Sequence, residues 1–519
     1  MKDITTKAWK QYENGKEYKR RIGLYENVRR NERYYRGDQW YGSASDLPRP
    51  VFNIVRRIID YLIGNTVSDK ITVRYTDESI PYAERKSDAD AVMKGIDLLN
   101  GNAAYRWENE KMDKTVYSLM LDAAISGDGV LYCSWDPDAK GSPVCPGDIR
   151  TQTVDNVNLF VADVNRADIQ SQEYIILSGR QSVASLRREA KENGVPEAEI
   201  RKIVADSERS SQSGDLAQFE LEGDDEEKTT YLIKFWKEGG RVCFEKSTRL
   251  AVICRKNTEL RLYPVAYFNW YPTKNSFHGT SPITGLIPNQ KFINRAYAMV
   301  MKHMTDTAFS KVVYDKTKIP EWSNEVGEAI AAVGGGNISD AVSVVGVGQL
   351  QNGYLELITN ALADTKEMMG ATETALGNVD PKNTSAILAM QEAARIPLAQ
   401  IRASFRGCLE ELAAIWADML CVCFADGRRL PVIVNGELSA ERAELSRLHD
   451  SFIKAHVEIG SVGEYSLSTT QGMLDRLLDG GYISASDYLE LLPAGLTLDR
   501  DELTRRVAAR EKERREQQI

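Results

Sequence analysis

Paired carboxylates are the first residues in this chain whose type and spacing could do chemistry. Asp136 with Asp138, and the acidic run Asp224 to Glu227, carry enough charge to hold a divalent cation for phosphodiester cleavage. The same residues fit solvated acidic loops, which is the commoner meaning of such runs. Two glycine clusters, Ser126 to Gly129 and Gly334 to Gly336, lack the strand-loop-helix spacing that cradles phosphate, and read as turns. No G-x-S-x-G elbow is present, and no Cys–His arrangement suggests a nucleophile. Cys421 and Cys423 have neither a second pair nor a nearby histidine to complete a tetrahedron, and His449 and His456 are not spaced as ligands on one helix face. No metal site, no cofactor and no enzymatic activity are expected.

A different chemistry is written in "NVRRNERYYRGDQWYG", Asn27 to Gly42, where arginines alternate with Tyr34, Tyr35, Trp40 and Tyr41. Guanidinium groups suit phosphate and rings suit bases, so the stretch could be a nucleic-acid patch. It also reads as a helix end, with Gly37 in the capping position. A second basic stripe, Lys291, Arg295 and Lys302, lies opposite the apolar stripe Ile293, Tyr297, Val300 and Met304.

The elements that must position these residues divide the chain in two. With 519 residues, 42% hydrophobic and 27% charged, it has a substantial core and room for several domains. No run of eighteen apolar residues occurs and the start has no apolar signal region, so a cytosolic, non-membrane protein is expected. The net charge of −9, from 75 acidic and 66 basic side chains, is wrong for a protein that grips DNA by wholesale neutralisation of phosphate.

A helix-permissive segment from Thr5 to Arg36 opens the chain. Pro48 and Pro50 then force extended backbone before a helix buried through Ile54, Ile58, Ile59, Leu62 and Ile63. A longer helix covers about Asp88 to Ile125, and strands dominate from Gly129 to Tyr271, including a hairpin turning at Gly239-Gly240. The first half is thus α+β. A helix then starts near Pro282, followed by an inset of strand, short helix, glycine turn and strand. A second helix runs from about Tyr354 to Leu376, and the polar loop "GNVDPKNTSAI" leads into a long helix from Ser385 to Phe424, kinked near Pro397. A hairpin in "RRLPVIVNGEL" and charged helices close the chain.

That order resembles the portal (head–tail connector) family of tailed bacteriophages, carried by "NERYYRGDQW", "RPVFNIVRRIIDYLIG", "GTSPITGLIPNQKFINRAYAMVMKH" and "ALGNVDPKNTSAILAMQEAAR". The resemblance implies an α+β portal fold: a wing over residues 1–275, a stem helix over 276–309, a small α/β clip over 310–351 and a second stem helix over 352–376. A tunnel loop would occupy 377–386, a long kinked helix 387–424, a return to the wing 425–480 and a short helical crown 481–519. It implies a ring of about twelve copies at one capsid vertex of the virion, assembled in the host cytoplasm, closed by heterologous interfaces. Double-stranded DNA would pass through it, packaged by the terminase large subunit that docks on the clip and later retained by a head-completion or tail adaptor protein. The major capsid and scaffolding proteins are the other implied partners.

By the same resemblance Asp380, Lys382, Asn383 and Thr384 of the tunnel loop, with Lys291, Arg295 and Lys302 of the stem, face the channel. Tyr314, Lys316, Lys318 and Trp322 of the clip face terminase or adaptor. The Asn27–Gly42 arginines would then serve the wing, away from DNA. The modest C-terminal segment departs from members with a long helical barrel. Two other readings stand beside this one: a ring-forming virion scaffold that passes no DNA, and a metal-dependent nuclease built on the acidic pairs.

Overall fold

Antiparallel sheets and a set of helices share one main core. The structure is a computed structural model that describes residues 6–42, 47–67, 70–77, 86–142, 145–206, 227–307, 311–323, 352–371 and 396–424, with shorter pieces between 325 and 345 and between 427 and 488. The expected tunnel loop, 377–386, and the start of the long helix lie outside the described residues.

The opening segment is two helices, α1 (Lys7–Arg21) and α2 (Leu24–Arg36), rather than one. Gly23 separates them with φ +67, a left-handed conformation that a glycine adopts without steric cost. Gly37, φ +96, ends α2 as its sequence position suggests. Helix α3 (Ile54–Val67) buries Ile54, Ile58, Ile59, Leu62 and Ile63 on one face, and β1 (Lys70–Asp77) follows.

The expected helix from Asp88 to Ile125 is likewise broken, into α4 (Lys86–Asn109) and α5 (Met112–Ser126). Lys111 sits at φ +52, and the adjoining Glu110 carboxylate takes hydrogen bonds from buried Arg106 at 2.7 Å and from the Thr151 amide at 2.9 Å. Arg106 also reaches Asp148 at 2.9 Å. This tertiary clamp stops the helix where sequence period alone would let it continue.

Strands β2 (Asp128–Ser142), β3 (Cys145–Thr153) and β9 (Val265–Asn269) form one sheet with β2 central. Strands β4 (Leu159–Val161), β5 (Tyr174–Ser182), β6 (Lys228–Glu238), β7 (Arg241–Ser247) and β8 (Val252–Asn257) form a second in chain order, covered by α6 (Val183–Glu192) and the short α7 (Glu197–Ile200). The β6–β7 hairpin turns at Gly239-Gly240 as expected.

Helix α8 (Pro282–Thr307) leaves the core, strands β10 (Lys311–Tyr314) and β11 (Val342–Val345) pair at its far end, and α9 (Asn352–Met368) returns beside it. Asn289 near the start of α8 bonds Thr365 near the end of α9 at 3.1 Å, so the two run antiparallel. The short helix expected between the strands is missing from the described residues 329–334, which are irregular and exposed. There the Val333 amide donates to Lys318 O at 2.7 Å, a partner far outside helical spacing.

Pro397 falls in a single 3-10 turn, Ile396–Leu398, from which α10 (Ala399–Cys423) starts. Within α10, Ile401, Phe405, Cys408, Leu412, Ile415 and Met419 are all buried, and burial pushes the Cys421 thiol up to about 12. The hairpin β12 (Arg429–Val434) with β13 (Glu437–Arg442) packs on α4. Strand β14 (Ile453–Gly460) pairs with β1 across nearly the whole chain, and a last described helix spans Glu464–Asp479.

Candidate functional site: a basic cleft between two helices

Two helix faces that the sequence placed apart meet at one cleft. On α2, Glu26, Arg29, Arg30 and Arg33 recur at helical spacing, and on α8 Lys291, Asn294 and Arg295 do the same. The two stripes, with Tyr34, Asp38, Gln39 and the Trp40–Gly42 turn, enclose a cavity of about 560 Å³. Five cations face two carboxylates there, in a chain that is acidic overall.

A buried amide network fixes the geometry. The Gln290 side-chain oxygen accepts from the Ile54 and Val55 amides at 3.0 and 3.3 Å, and so caps the first turn of α3. The Gln290 amide donates to Phe52 O at 2.8 Å and to Asn294 at 2.9 Å. Asn294 donates on to Gln39 at 2.6 Å, and Gln39 donates to Tyr34 O and Asn53, both at 3.1 Å. Asn31 links the same side of α2 to Ile125 O at 2.9 Å and to Thr284 at 3.0 Å. Helices α2, α3, α5 and α8 are thereby held in one register, and the cations on the outer faces of α2 and α8 are held opposite one another.

Within the cleft the cations differ in their surroundings. Arg33 lies over the Tyr41 ring at 3.4 Å and 4.0 Å from the Asp38 carboxylate. Arg30 donates to Asn27 at 2.8 Å. Lys291 and Arg295, both exposed, have no ion-pair partner among the described residues. Burial raises the pKa of Tyr34 between the helices, and the nearby Arg30 and Arg295 pull it the other way. Trp40 donates to Pro50 O at 2.8 Å, which pins the turn carrying Tyr41, itself 73% exposed.

The other expected site residues scatter. Lys302 lies farther along α8, beyond the cleft, and pairs with Asp306 at 3.4 Å, the ordinary fate of a surface helix cation. Tyr314 and Trp322 stack at 5.1 Å at the far end of the α8–α9 pair, with Lys316 exposed and Lys318 half-buried nearby. Asp380, Lys382, Asn383 and Thr384 lie outside the described residues. The resemblance assigns Arg29, Arg30 and Arg33 to the wing and Lys291 and Arg295 to the stem, and the fold sets both groups around one cavity. The signal for that meeting is the buried polar residues Asn31, Gln290 and Asn294 on otherwise apolar helix faces, with Gln39 in the turn after α2. Among the described residues no group of three potential metal ligands converges, and no helix is long and apolar enough to cross a membrane.

No family model matches the chain, and no curated protein matches it. Among solved structures it is similar to a chain of the virion of a native gene transfer agent (GTA) particle, at 11% identity and a TM-score of 0.38, over 90% of this chain and 93% of that one. It is also similar to a chain from the neck of an empty GTA particle computed with C6 symmetry, at 13% identity and a TM-score of 0.36, over 84% of this chain and 88% of that one. Likenesses this loose carry no argument about function.

Proposed function

We propose that this chain is a ring-forming portal subunit of a tailed-phage-like particle, a channel for DNA with no catalytic residues of its own. The observation that supports it most directly is the α8–α9 pair. Its 26-residue first helix is about 39 Å long at 1.5 Å per residue, and its buried positions end at Ala298, about two thirds of the way along. Beyond Ala298 it presents Met299 and Met304, 57% and 60% exposed, while α9 presents Tyr354, Leu355 and Leu357 and the strand pair presents Val313 and Val344. So much apolar surface on one extension is costly in water and is covered when identical copies pack side by side. Closed heterologous contacts around an axis cover every copy equally.

In such a ring the α8–α9 pairs line a stem, the β10–β11 end is the clip on which a packaging motor and later an adaptor dock, and residues 377–386 reach toward DNA. About twelve copies of a chain of charge −9 make a wall that repels phosphate, with a few cations for brief, sequence-independent contacts. A channel that must let DNA move needs that balance.

Electron microscopy of the purified protein tests the proposal. Rings of about twelve subunits around a channel wide enough for B-DNA are expected; closed rings with no such channel would favour a scaffold, and monomers or dimers that cleave DNA with Mg²⁺ would favour the nuclease. Within the portal reading, Lys382→Ala is expected to lower DNA packaging or retention while rings still form. Unchanged packaging and retention in that variant would remove the role assigned to the loop.

A further inference from the structure

We infer that the cleft between α2 and α8 binds a single strand of nucleic acid, with its phosphates on Lys291, Arg295 and Arg30 and a base stacked on Tyr41. The charge of the cleft is the first support. Five cations converge on a protein that is otherwise acidic, and the two on α8 have no ion-pair partner among the described residues. Five cations against two carboxylates leave a local excess of positive charge, so the arrangement favours an anionic occupant. Four of the five are arginines, whose planar forks take two phosphate oxygens at once.

The ring at the rim selects among anions. Tyr41 has one face covered by the Arg33 guanidinium at 3.4 Å and is 73% exposed, which leaves the other face available to a flat partner. Cations tracking a backbone beside an exposed aromatic platform are the combination that holds unpaired bases. An acidic peptide would use the cations and ignore the ring. Shape selects against a duplex: the cleft is a concavity of about 560 Å³, whereas the phosphates of B-DNA lie on a convex surface and its bases are stacked away from any platform. The walls are set by the Gln290–Asn294–Gln39 network, so the site is formed before ligand arrives.

The test is fluorescence anisotropy on the full-length protein with a labelled oligothymidylate, a duplex of equal length and a polyglutamate peptide. Single-strand binding that weakens with salt is expected. The double variant Lys291→Ala/Arg295→Ala should weaken it by at least about tenfold and shallow the slope of log K against log salt by about 1.4, the share of two phosphates. Tyr41→Ala should weaken it about 5- to 150-fold at an unchanged slope, as loss of one stacked base predicts. All three side chains are exposed, so unchanged thermal unfolding serves as the folding control. If the double variant lost its fold, Tyr41→Ala and Arg295→Lys would decide: the first should weaken binding and the second keep the salt slope. Absent binding, duplex binding as tight as single-strand binding and insensitive to Tyr41, or tighter binding of polyglutamate through the same cations would each overturn the inference. Rings seen by microscopy together with no single-strand binding would sink this inference and leave the portal proposal standing.

Discussion

From a single buried side-chain amide Gln290 makes four hydrogen bonds: two to the start of α3, one to Phe52 just before it and one to Asn294 on its own helix. Replacing it with leucine, near in volume, would leave the α3 amides and Asn294 without their partner, and a loss of roughly 1–3 kcal/mol is expected in chemical denaturation. Asp128 is a second such centre. It accepts from Asn156 at 3.0 Å, Asn269 at 2.9 Å and the Gly279 amide at 2.7 Å, with His278 at 2.6 Å. Burial opposes its charge, yet His278 and these donors outweigh burial and hold its pKa below the usual value. Its contribution is present above the ordinary carboxylate range and is lost only in acid.

Three other carboxyls act in the opposite sense. Burial first, then Asp155 and Glu32, push Asp122 up to about 7, and burial is the largest cause in raising Asp155 to about 6 and Glu411 to about 7. A group whose pKa is higher folded than unfolded binds a proton on folding, so its stabilisation is complete below the unfolded value and fades as pH rises through the folded one. Thermal stability is therefore expected to fall between about pH 5 and pH 6.5, by roughly 1.4 kcal/mol per pH unit at most for each such group, and Asp122→Asn should flatten the slope. A melting temperature that is flat or rises over that window would refute the assignment.

At the scale of elements, helix ends depend on backbone conformation and tertiary clamps. Lys111 holds φ +52 between α4 and α5 with its side chain exposed, a conformation that costs a residue with a Cβ roughly 1 kcal/mol. Lys111→Gly is expected to stabilise the protein by up to about 1 kcal/mol, read as a raised unfolding midpoint. The period of apolar residues carries no sign of that break, because it passes through Glu110 and Lys111 without interruption. In α8 the same period is informative but incomplete. It marks Ile293 and Tyr297 as core-facing, yet Met304, on the same stripe, is 60% exposed because the core ends before it. Met299→Asp/Met304→Asp is expected to abolish ring assembly, seen by sedimentation, with a stability change of the unassembled subunit within about 0.5 kcal/mol. Intact rings in that variant would show that this surface is not an interface.

For the whole molecule, most of the described helices and strands, the Gly239-Gly240 hairpin turn and the α+β class with a large core were legible in the sequence, but the breaks at Gly23 and Lys111 were not. The legible properties follow from local period, glycine and proline, which act over a few residues. The sequence left undetermined which distant segments meet. Strand β1 pairs with β14 across nearly four hundred residues, Lys70 opposite Gly460, and no local signal specifies that register. The cleft was hidden for the same reason. Arg30 and Arg295 are 265 residues apart in the chain, and their helices meet through apolar side chains of the main core together with the amides of Asn31, Gln39, Gln290 and Asn294, which find hydrogen-bond partners once buried. Periodicity reports which face of a helix seeks cover; which element provides the cover is decided by the tertiary fold, where buried polar groups must find partners.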